Sequence, residues 1–143
     1  MFLFILENEI STWNTRCQER ITQAKSAKEK LFILADLFSQ SYQSSLIKVA
    51  EEFYANTTNH DEVMDRLYPL MHSSFPIYRS ILEEGMKKNE FKEADIDELT
   101  FILNGLLMGL GTNYPYIDIT NVASLYKKAI QIFLTGISNE QSK

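Results

Sequence analysis

Apolar residues recur at intervals of three and four along this chain, and that spacing constrains its fold more than any other feature. Leu3, Leu6, Ile10, Trp13, Cys17, Ile21 and Ala24 fall on one helical stripe, with Glu7, Asn8, Ser11, Thr15, Gln18, Glu19 and Gln23 on the other side. The spacing predicts a helix over about 2–25. Its start is unusual. Phe2 and Phe4 add apolar surface off the stripe, and no capping residue precedes them. Five glycines and three prolines in 143 residues disfavour a turn-rich β fold and leave room for long helices. No segment alternates like a strand, and none repeats with a fixed period.

Caps and breakers divide the rest. Ser26 followed by Glu29 is a capping box opening a second helix, whose inner face is Leu31, Leu34, Ala35, Leu37, Phe38 and Tyr42. The polar run Ser39 to Ser45 ends or interrupts it, and Leu46, Val49, Ala50, Phe53 and Tyr54 make a short third helix. After the turn-forming Asn56 to Asn59, Asn59 caps a helix carrying Val63, Met64, Leu67, Leu70 and Met71 inward. Pro69 predicts a kink. A break is expected at Ser73-Ser74, with Pro76 in the first turn of a new helix and Asn89 as a left-handed stop. Asp95 to Glu98 caps a helix through Leu110, in which Gly105 and Gly109 suggest close approach of another backbone. Thr120 caps a last helix, ended by Gly136, and the tail 138–143 reads as loose. The expectation is one all-α domain over 1–143, about six helices. The last two are apolar over wider faces than one layer can cover, which points to a twofold-symmetric homodimer.

Composition excludes several functions. At 45% apolar and 23% charged residues the chain is globular. A net charge of −5 gives it no basic surface for nucleic acid; Lys25, Lys28 and Lys30, Lys87-Lys88 and Lys127-Lys128 are short clusters on solvated faces. The single cysteine, Cys17, allows no internal disulfide, and its place on the apolar stripe marks an inert core thiol. His60 with Asp61, Glu62 and Asp65 reads as a capped helix start rather than a metal site, and His72 as a structural histidine. No phosphate loop, nucleophile elbow or carboxylate pair is present, so no catalytic residue, metal or cofactor is expected, and the chain is not read as an enzyme. No apolar stretch suits a signal peptide or a membrane helix, which implies a cytoplasmic protein.

Three segments resemble the regulatory domain of TetR-type (tetracycline-repressor-like) transcriptional regulators. Ile81 to Phe91 resembles that family's helix ending in Gly-Glu-Phe, with Asn89 in place of the usual Gly. Asp95 to Glu98, Asn104-Gly105-Leu106 and Leu106 to Leu110 resemble its penultimate helix, and Leu125 to Ile137 its last. The helix Phe2 to Lys25 is similar to the one that links a DNA-binding headpiece to the sensor. The resemblance implies a bundle whose last two helices form a dimeric four-helix bundle through Leu99, Ile102, Leu103, Leu106, Gly109, Leu110, Val122, Leu125, Tyr126, Ala129 and Phe133. The helix-turn-helix headpiece that should precede Phe2 is absent from this sequence. Met1 fits an internal methionine, an artificial boundary or a true start, and DNA contact would run only through the missing part.

The resemblance also places an effector cavity among the helices bearing Trp13, Phe38, Tyr42, Phe53, Tyr54, Tyr68, Phe75 and Tyr78. Amphipathic aromatics and methionines suit an adaptable apolar pocket. A small apolar or aromatic molecule is expected to touch Trp13, Met64, Tyr68, Met71, Tyr78 or Asn104. The leading reading is thus an effector-sensing and dimerisation domain of a TetR-type regulator, read as a repressor. The alternative is a ligand-free helical scaffold or interaction module, solid where a sensor would hold a void.

Overall fold

The computed structural model describes residues 2–41, 65, 69, 72–113 and 122–139, with side chains for 7–40, 65, 69, 72–110 and 122–139. The described residues form five helices: α1 (Phe2–Ile21), α2 (Ala27–Ser41), α3 (Phe75–Lys87), α4 (Ile96–Asn113) and α5 (Val122–Ile137). The expected helices at 46–54 and 59–71 and the Thr120 cap lie outside the described residues, apart from Asp65 and Pro69, both helical.

α2 is the hub, packing against α1, α3, α4 and α5, most extensively against α5. Its sequence explains this. Leu31, Leu34, Ala35, Leu37 and Phe38 are buried, and Phe32 and Ile33 pack against the core from its flanks. The fully buried leucines and Phe38 each contribute about 1.5–3 kcal/mol when withdrawn from water. α1 ends at Ile21, four residues before its expected limit at 25. There the chain tightens into short turns, Gln23 N–H to the Arg20 carbonyl and Ala24 N–H to that of Ile21, and reverses into α2. Ser26 caps α2 as its spacing predicts, accepting from Glu29 N–H at 3.1 Å, while Glu29 reaches back to Lys25 N–H rather than to that of Ser26. A carboxylate far along the chain completes the cap. Glu90 accepts from Ala27 N–H at 3.2 Å and Lys28 N–H at 3.5 Å, placing negative charge where the helix dipole favours it.

α3 starts after Ser73-Ser74 with Pro76 in its first turn, and stops where Asn89 adopts φ 62°. Glu90 and Phe91 N–H both donate to the Gly85 carbonyl, folding the buried Phe91 ring over Gly85. A Cβ at Gly85 would stand 2.1 Å from Phe91 Cδ2, so any side chain there would force the ring to move. Asp95 caps α4, its Oδ1 accepting from Asp97 and Glu98 N–H at 3.0 and 3.1 Å. Two expectations at the end of the chain change. Gly136 does not end α5, which runs through Ile137. Ser138 and Asn139, expected to begin a loose tail, are tied down: Lys92 N–H donates to the Ile137 carbonyl, Asn139 N–H to that of Glu90, and Asn139 Nδ2 to Asn89 Oδ1. Residues 140–143 lie outside the described residues.

Candidate functional site

Four helices send aromatic side chains to one place. Trp13 on α1 meets Phe38 of α2 edge-on, with ring centroids 5.0 Å apart. Phe38 lies 6.3 Å from Tyr78 on α3 and 6.2 Å from Tyr126 on α5. Tyr78 leads on to Phe75 at 6.1 Å, and Phe75 to His72 at 4.6 Å and to Phe101 of α4 at 5.6 Å. Edge-to-face and offset pairs at these separations add about 0.5–1.5 kcal/mol each beyond simple burial.

Polar ties hold α1 at this cluster. Asn14 Nδ2 donates to Ser73 Oγ at 3.2 Å, and Ser74 Oγ donates to Asn14 Oδ1 at 2.7 Å. Ser74 sits at the N-cap of α3 but makes no side-chain cap bond, because its hydroxyl serves α1 instead. A turn further along, Arg20 pairs with Asp36, and Arg16 donates to Gln40. One buried polar atom has no partner among the described residues: Trp13 Nε1 is sealed from solvent and makes no hydrogen bond there.

Of the expected ligand residues, Trp13 and Tyr78 converge here, joined through Phe38. Asn104 is half-buried on α4, and Met64, Tyr68 and Met71 lie outside the described residues. Phe38 and Phe75, named in the wider aromatic set, are also in the cluster. Sequence reasoning missed Tyr126 as a member, having assigned it to a dimer face. It is buried, and its hydroxyl donates to the Leu107 carbonyl at 3.0 Å.

The residues expected at a dimer interface divide by burial. Leu99, Leu103, Val122, Tyr126 and Ala129 belong to this chain's own interior. Leu106, Gly109, Leu110, Leu125 and Phe133 are half-buried, while Ile102 is 57% exposed. Phe101 and Ile132, not singled out from the sequence, are 64% and 68% exposed. A Cβ built at Gly105 or Gly109 would meet nothing within 4 Å among the described residues. α4 and α5 therefore carry uncovered apolar surface.

The remaining chemistry is quiet. Burial pushes the Cys17 thiol up to about 12, outweighing the opposing pull of Arg20 and Arg16, so it is a poor nucleophile. Among the described residues no group of three or more His, Cys, Asp or Glu could hold a metal ion, and no helix is long and apolar enough to cross a membrane. A surface depression of about 860 Å³ beside the end of α3 is lined by Glu83, Glu84, Met86, Lys87, Lys88 and Glu93 among others, away from the aromatic cluster.

This arrangement of helices is the fold of a regulatory domain from a TetR-type regulator. The structure of the transcriptional regulator FadR from Bacillus subtilis in complex with stearoyl-CoA matches it with a TM-score of 0.81 at 19% identity, covering 95% of this chain and 74% of that one. The fatty acid degradation regulator FadR from Bacillus halodurans matches with a TM-score of 0.81 at 20% identity, covering 94% and 70%. The sequence goes further: residues 9–139 match the TetR-family profile for the QacR-like protein C-terminal region, and the chain belongs to that family. The HTH-type transcriptional regulator QacR of Staphylococcus aureus (strain Mu50 / ATCC 700699) is 25% identical over 139 residues, covering 96% of this chain and 74% of QacR.

Proposed function

We propose that this chain is the effector-sensing and dimerisation domain of a transcriptional repressor, and that its effector is a small apolar or aromatic molecule held at the Trp13–Phe38–Tyr78 cluster. The observation that carries this reading is the position of Trp13. It stands on α1, the helix that resembles the family's link to a DNA-binding headpiece, and packs on Phe38 of α2, whose ring in turn neighbours Tyr78 of α3 and Tyr126 of α5. A molecule seated against Trp13 would bear on α1 directly. The free energy available to move α1 is the difference in that molecule's affinity for two α1 positions, and no more. That a FadR structure holds stearoyl-CoA supports a long apolar occupant as one candidate.

The uncovered face of α4 and α5 supports a homodimer through Ile102, Leu106, Gly109, Leu110, Leu125 and Phe133, with Phe101 and Ile132 at its margin. Leu99, Leu103, Val122, Tyr126 and Ala129 would shape that face from beneath. DNA contact and cytoplasmic action belong to the same reading, through a headpiece outside this sequence.

Native mass spectrometry at low micromolar concentration, with titration of the sole tryptophan's fluorescence, tests both parts. A dimer mass is expected. Stearoyl-CoA, or a member of a panel of uncharged aromatic molecules, should produce a saturable change in Trp13 emission. A stable monomer would overturn the interface. A fluorescence response to no compound would overturn the sensor and favour a packed scaffold.

A further inference from the structure

The Trp13 indole N–H is the one buried side-chain polar atom without a hydrogen-bond partner among the described residues. Such orphans are rare, because a donor taken from water and left unpaired loses its solvation without replacement. Its chain neighbour Asn14 is engaged elsewhere, bonded to Ser73 and Ser74. The neighbouring ring, Phe38, stands at 77° to the indole with centroids 5.0 Å apart and has no lone pair to offer. The fold therefore keeps a neutral, directional donor sealed at an aromatic cluster, satisfied by nothing among the described residues.

We infer that the effector of this domain carries a hydrogen-bond acceptor on an otherwise apolar or aromatic frame, and that Trp13 Nε1–H is the group that reads it. This rests on the proposed ligand site and adds what that site selects. An apolar frame replaces contacts any hydrocarbon could make. The acceptor satisfies a donor the empty protein leaves unpaired, so molecules of equal shape are separated by one atom.

The test uses the full chain labelled with ¹⁵N at tryptophan, where the single Trp gives one indole cross-peak. Naphthalene and quinoline are the probes, alike in shape but differing in one ring-nitrogen acceptor, at neutral pH. In the empty chain the indole proton should resonate at the upfield position of an unbonded N–H. Quinoline should shift it downfield, and naphthalene should perturb it without that shift. Quinoline should bind about tenfold more tightly, the worth of one net hydrogen bond. In Trp13→Phe, which keeps a ring and removes the donor, the two probes should bind alike. If that variant does not fold, the two probes on the unaltered chain still decide. Equal affinities with no downfield shift would overturn the acceptor while leaving the ligand site standing. An indole proton already downfield in the empty chain would overturn the orphan donor. Binding of neither probe, nor of stearoyl-CoA, would remove the ligand site and this inference with it.

Discussion

At the scale of the residue, Gly85 and Phe91 form a pair in which each explains the other. The ring occupies the space a Cβ would need, so Gly85→Ala should cost about 1–3 kcal/mol by overpacking, read as a lowered melting temperature. In a Phe91→Ala background the same change should cost nothing, or stabilise by up to about 1 kcal/mol, because alanine is the better helix former once the ring is gone. Additive penalties in that double-mutant cycle would show that Gly85 serves something other than the ring. Cys17 supports a second expectation. Its burial and raised pKa predict slow labelling by a thiol reagent in the folded chain at pH 8 and fast labelling in denaturant. Rapid labelling of the native protein would mean that α1 lifts from α2.

At the scale of the element, termini are held by charges brought from elsewhere. The Lys30 ammonium bonds both oxygens of Glu84 on α3, at 2.9 and 2.8 Å, and with Lys88 holds that carboxyl below its ordinary value of 4.5. A carboxylate depressed in the folded state stabilises above its unfolded pKa, and the benefit is lost as pH falls through the lower, folded value. Thermal melts between pH 7 and pH 3 should therefore show a fall beginning near 4.5, and Glu84→Gln should flatten part of it. An unchanged acid limb would mean the pair contributes little. Asp95→Ala, which removes the cap of α4, should cost about 1 kcal/mol, measured by denaturant unfolding. Elsewhere on α3, Arg79 bridges Glu83 and Asp97 at the exposed surface, where such pairs add little.

At the scale of the whole molecule, burial separates changes that break a dimer from changes that break the fold. Ile102 and Ile132 point to solvent in the single chain, so Ile102→Glu with Ile132→Glu should leave helicity and monomer packing intact. The proposed dimer should dissociate, with sedimentation reporting a single-chain mass. Leu103→Glu is the contrast: it buries a charge in the core and should unfold the chain. A double variant that stays dimeric would move the interface to another face.

Local signals made much of this architecture readable. The three-and-four spacing gave α1, the Ser26–Glu29 and Asp95 caps gave two helix starts, Pro76 gave a third, and the tolerance of Asn for positive φ gave the stop at Asn89. Each depends on groups within a few residues, which is why sequence suffices. The aromatic wall was legible only as a list of rings. That Trp13, Phe38 and Tyr78 meet, that Tyr126 joins them from the last helix, and that the Trp13 N–H goes unpaired, depend on how four helices cross. Glu90 capping α2 and the tail pairing with Asn89 and Glu90 are likewise contacts between distant segments. On α4, where Phe101, Ile102 and Leu103 are consecutive and all apolar, hydrophobicity could not say which faces out. The sequence by itself determined a helical chain with its caps, stops and a surplus of apolar surface; only tertiary structure decided which of that surface is core, because burial depends on the neighbouring elements as well as on the residue.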